Sequence, residues 1–64
     1  MKLKDLKVGD MFTKKKIAEP KEYQVWIRQA YDRFAKKYEI MRWDDICDTQ
    51  LMDGEKEVFV DFTF

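Results

Sequence analysis

Apolar and polar residues alternate most clearly at the end of the chain. Val58, Val60, Phe62 and Phe64 fall on one side of an extended segment, with Glu57, Phe59, Asp61 and Thr63 on the other. That period of two predicts a strand at 57–62. Asp53-Gly54 stands just before it. This dipeptide suits a tight hairpin because both residues tolerate positive φ, and it predicts a partner strand at 49–52. Near the start, Leu3, Leu6 and Val8 lead into Gly9-Asp10 and then Met11-Phe12-Thr13. Gly-Asp between apolar residues predicts a turn followed by a strand at 10–15. Lys14-Lys15-Lys16 and Ile17-Ala18-Glu19-Pro20 follow, and the proline sets a loop or a helix start.

The middle of the chain fits two periods. At helical spacing Tyr23, Trp26, Ile27, Ala30, Tyr31, Phe34, Ala35, Tyr38 and Met41 share a stripe, and only Val25 and Ile40 fall off it. Pro20 would sit in the first turn, with Glu19 and Glu22 at the positive end of the helix dipole. This reading predicts an α+β fold with an amphipathic helix at about 20–40. At strand spacing Tyr23, Val25 and Ile27 alternate with Gln24 and Arg28, and Tyr38 and Ile40 with Lys37 and Glu39. Tyr31-Asp32-Arg33-Phe34-Ala35-Lys36 then becomes the loop of a hairpin.

A resemblance decides between them. Leu6–Thr13, Gln24–Arg28, Tyr31-Asp32-Arg33, Lys36-Lys37-Tyr38, Asp44-Asp45-Ile46 and Gly54–Phe64 together resemble a group of short uncharacterised proteins from gut bacteria, their phages and mobile elements. No activity is assigned to that group, so the resemblance implies no site residues. It does imply a loop at Tyr-Asp-Arg, since such relatives carry glycine in place of Gln29 and small polar residues in place of Phe34-Ala35. A glycine there would cost a helix about 1 kcal/mol. The fold expected is mainly all-β, a single domain over 1–64. Its five strands, near 10–15, 23–28, 37–43, 49–52 and 57–62, would close into an SH3-like or OB-like barrel. Closure would also hide the sheet edges.

Composition narrows the chemistry. The 64 residues include no histidine and a single cysteine, Cys47. An intramolecular disulfide framework is excluded, and a structural zinc site or a histidine-based catalytic pair is not expected. Cys47, between Ile46 and Asp48 with no base to activate it, reads as a small buried apolar side chain. No apolar run is long enough to span a bilayer, and the first residues do not read as a signal peptide, so a cytoplasmic protein is expected. Neither a cofactor nor an enzymatic activity is implied. Ten aromatics can each bury about 150–250 Å², enough for a core in so short a chain, and any that do not fit inside form a surface for contact.

Zero net charge hides an asymmetry. Residues 1–42 carry twelve basic and six acidic side chains, and residues 43–64 carry one basic and seven acidic. The halves can pair as complementary neighbours, or leave opposed faces for a partner or for copies of the chain. Asp44, Asp45, Asp48, Asp53 and Glu55 have the oxygen ligands of a divalent-cation site but not an EF-hand spacing; they read equally well as solvated turns. The expected function is a non-enzymatic interaction module that binds a protein partner or self-assembles, with Trp26, Phe34 and Phe59 as aromatic anchors and Arg28 and Arg33 among the rim charges. Trp43 is a further surface candidate. The alternative is a single-stranded nucleic-acid binder using residues 12–42, with Lys14, Lys15, Lys16, Lys36 and Lys37 on phosphates and Tyr31 among the stacking rings.

Overall fold

The computed structural model describes residues 1–64. Four strands form one antiparallel sheet in chain order: β1 (Met11–Thr13), β2 (Val25–Asp32), β3 (Lys37–Arg42) and β4 (Asp45–Met52). The helical elements are two 3-10 turns, Leu3–Asp5 and Glu22–Gln24. The helix considered for about 20–40 is not formed. Val25 and Ile40, the two residues that spoil its stripe, are both fully buried, whereas Phe34 on the stripe is fully exposed. Val25 pairs with Thr13 and Ile40 with Gln50 across the ladder, so both are sheet positions and not positions on a helix.

Register assigns the faces. Phe12, Trp26 and Arg42 stand in one row across β1–β3, and Met11, Ile27, Met41 and Thr49 in the neighbouring row. Residues in one row share a face. The inner face carries Phe12, Trp26 and Ile40, over which Leu3, Leu6 and Val58 close, with Tyr38 and Met52 packed against the cluster. Each such aliphatic or aromatic side chain contributes about 1.5–3 kcal/mol when fully buried. The N-terminal 3-10 turn and the C-terminal strap (residues 53–64) therefore act as the second layer.

The sheet is open, and the strap differs from the expected fifth strand. Asp53-Gly54 does turn the chain: Lys56 N–H donates to Asp53 O at 3.1 Å and Glu55 N–H to the Asp53 carboxylate at 2.9 Å. It does not make a hairpin with β4. The strap instead runs past the N-terminus, where Leu3 N–H donates to Lys56 O at 3.0 Å, Lys4 N–H to Gly54 O at 3.0 Å, and Val58 N–H to Met1 O at 2.8 Å. Glycine permits this path, because a Cβ at 54 would lie 2.6 Å from the Tyr38 ring and 3.2 Å from Lys4 Cβ. The strap then touches β1 at one point. Thr13 and Phe59 exchange backbone hydrogen bonds of 2.8 and 3.0 Å as an isolated bridge. Of the alternating apolar residues, Val58 is fully buried, but Val60 and Phe64 are 41% and 49% exposed.

The two edge strands depart from expectation in opposite directions. β1 is shorter than expected and β4 starts four residues earlier, after a turn at Trp43-Asp44. Register slips between Met41 and Arg42 fit that tight reversal into the ladder. Gly9 supplies the turn before β1 with φ of +94°, a conformation open to glycine at little cost.

Candidate functional site

The β2–β3 hairpin projects one end of the sheet into solvent. Its turn is set by Asp32, whose carboxylate accepts from Phe34 N–H at 2.9 Å and Ala35 N–H at 3.1 Å. This is the local competition by which an aspartate favours a turn over a continuing strand. Lys36 closes the turn with φ of +56°. The result holds Phe34 fully exposed at the tip, with Arg33, Lys36 and Lys37 also exposed around it. None of these three cations has an ion pair in the chain. Tyr31, 45% exposed, leans on Tyr38 with ring centroids 4.8 Å apart. Ala30, Tyr31, Asp32, Arg33, Phe34 and Glu39 line a shallow concavity of about 350 Å³ beside the tip.

The expected aromatic anchors are thus separated. Phe34 and Arg33 sit together at the tip. Trp26 does not reach the surface: only 7% of it is exposed, since its row belongs to the inner face, and Lys14 Nζ stands 4.1 Å from its ring centroid. Phe59 is half-buried where the strap meets β1. The Arg28 guanidinium stands over Tyr38, its Cζ 4.5 Å from the ring centroid, and its Nε is buried without a hydrogen-bond partner. Trp43 is 41% exposed and meets the Phe64 ring edge-on at 4.9 Å.

The basic stretch is divided in the same way. Lys14, Lys15 and Lys16 follow the end of β1 that pairs with the start of β2, and Lys36 and Lys37 stand at the other end of β2. Eight residues of strand separate the groups by about 25 Å. Lys14 is further held by the Gln50 side chain at 3.0 Å.

Part of the acidic charge is spent on neighbours. Arg42 meets Asp44 at 2.7 Å, Asp48 at 3.2 Å and Asp45 at 3.6 Å, so the turn and β4 are pinned to β3. Lys2 and Lys4 each reach Glu55 at 2.7 Å. Their hydrogen bonds and charge hold the Glu55 carboxyl down at about 2 and push the Lys4 ammonium above its ordinary value. Complementary pairing of the two halves of the chain is the arrangement observed at these positions. Cys47 corrects another expectation, being exposed, because β4 ends the sheet and nothing covers its outer side. A cleft of about 470 Å³ lies between β1 and the strap, lined by residues including Leu6, Met11, Val60, Phe62 and Phe64.

No family model, no curated protein and no solved structure matches this chain.

Proposed function

We propose that this chain is a non-enzymatic β-sheet module that works in the cytoplasm by surface contact, offering its β2–β3 hairpin tip to a protein partner. The carrying observation is a fully exposed Phe34 on a turn locked by two hydrogen bonds to Asp32. A large apolar ring held in water by a preorganised turn loses little further freedom on docking, so most of its burial energy remains for binding. That burial contributes about 1.5–3 kcal/mol. Arg33, Lys36 and Lys37 have no internal counter-ions, which fits a partner with an apolar pocket rimmed by carboxylates. The resemblance to phage and mobile-element proteins suggests a partner from the host or from the element itself.

The test is recovery of a partner from the native host by the wild-type chain beside Phe34→Ala and a variant with Glu at 33, 36 and 37. Loss of one specific protein with both variants supports the reading. Equal recovery by all three contradicts it.

A second reading uses the same residues on single-stranded nucleic acid. Two exposed rings, Tyr31 and Phe34, stand beside three free cations, the pairing that stacks bases and neutralises phosphates. A gel shift with single-stranded oligonucleotides at low salt separates the two readings; no shift removes this one.

A further inference from the structure

Two surfaces of this chain lack what the other has. At the hairpin tip the Phe34 ring is wholly in water, and Arg33, Lys36 and Lys37 stand exposed with no ion pair. The counterpart is the cleft of about 470 Å³ between β1 and the strap. Met11, Val60 and Phe64 wall it and are themselves exposed, so its apolar lining meets solvent. The polar residues of the lining are both carboxylates, Asp5 and Asp10. Each spends one oxygen on a backbone N–H, Asp5 accepting from Lys2 at 3.2 Å and Asp10 from Lys7 at 2.9 Å. Neither has an ion pair, which leaves their charge for an incoming cation. An apolar hollow bordered by unpaired carboxylates complements a ring flanked by unpaired cations.

Building on the tip reading above, we infer that the hairpin tip of one copy docks in the strap cleft of a second copy of this chain. Phe34 of the first lies against Met11, Val60 and Phe64 of the second, with Arg33 and Lys36 beside Asp5 and Asp10. Tip and cleft share no residue, so one chain can use both. They cannot meet within a single chain. Asp10 O accepts from Arg28 N–H, whereas Asp32, four residues further along β2, still pairs with Lys37. Those four residues hold the turn about 13 Å beyond Arg28. The contact is therefore heterologous, and copies join head to tail until a ring closes or the ends run free. Thirteen basic and thirteen acidic side chains cancel, so no net charge opposes the stacking of identical chains.

Sedimentation of the full chain from micromolar to millimolar concentration tests this, and the wild type should self-associate as concentration rises. Phe34→Ala removes the ring, and Val60→Lys sets an ammonium group in the cleft. Each changes an exposed side chain and should weaken association by about tenfold or more with circular dichroism unchanged. Mixed in equal amounts where the wild type associates, the two variants should form a 1:1 complex and nothing larger. The intact cleft of one then meets the intact tip of the other. Asp10→Asn keeps the oxygen that accepts from Lys7 and should make association less sensitive to salt. A chain that stays monomeric at millimolar concentration overturns the proposal, and Phe34-dependent recovery of a host protein would then leave the tip reading standing without it. Association that either variant leaves intact, a mixture that forms no complex, or a salt dependence that Asp10→Asn does not change overturns it as well.

Discussion

The two edges of this sheet are built on opposite principles. β1 has three residues, two of them fully buried, and its outer side is bonded to Phe59 of the strap. β4 has eight residues, mostly exposed, and its outer side is bare. The difference follows from where the chain spends its last twelve residues. Gly54 lets the strap pass beneath Tyr38, and Met1, Leu3 and Lys4 take its hydrogen bonds. The strap therefore crosses to β1 and cannot also pair with β4. A short chain with one spare segment can cover only one edge. The covered side holds the fold together, and the bare side is free to meet something else.

The largest expected effect breaks the comparison at its centre. Phe12→Ala on β1 should cost about 3–5 kcal/mol, because it empties a fully buried aromatic site. Leu51→Ala on β4 should stay within about 0.5 kcal/mol in dilute solution, since its side chain is half in water. Urea unfolding at low protein concentration measures both. A similar loss from the two would mean that β4 is as deeply packed as β1.

Prolines probe the edges themselves. Phe59→Pro removes the N–H that donates to Thr13 O at 3.0 Å and should cost about 1–3 kcal/mol by leaving a buried carbonyl underused. Thr49→Pro removes an N–H that points to solvent, which an edge strand tolerates. Its effect on the dilute chain should be smaller than that of Phe59→Pro in the same unfolding experiment.

A smaller effect concerns the clamp where β4 hands over to the strap. Glu55 titrates near 2 because Lys2 and Lys4 donate to it and surround it with positive charge. A carboxyl depressed in the folded state stabilises above its ordinary value of 4.5 and loses that contribution as pH falls toward 2. The raised Lys4 acts at the other end, contributing below its ordinary 10.5 and losing that contribution as pH rises past its raised value. Glu55→Gln should flatten both limbs of a stability–pH profile. Because these groups are exposed and screened, the change is expected to be modest and to shrink further in high salt.

Much of this organisation was legible in particular residues. Gly9-Asp10 marks its turn, and Tyr31–Lys36 contains the reversal between β2 and β3, which occupies Arg33 to Lys36. Val25 and Ile40, misfits on a helix, are core positions of a sheet. Asp53-Gly54 shows why the rest was hidden. The dipeptide specifies a reversal but not the partner beyond it, and the partner depended on the N-terminus lying across the sheet, a contact more than fifty residues distant in sequence. Val60 and Phe64 alternate correctly, yet with no second strand to pair against they stay nearly half exposed. At the candidate site, Arg33 and Phe34 were readable as surface residues. The burial of Trp26 was not, because an aromatic of the inner row and one at a turn look alike until register is known.

Amide hydrogen exchange in the dilute chain, residue by residue, compares the edges most directly. Thr13 and Phe59 should be protected, and Thr49 and Leu51 should exchange as open amides. Protection of Thr49 and Leu51 in the dilute chain, or rapid exchange at Thr13 and Phe59, would mean that the covered and bare edges have been assigned the wrong way round.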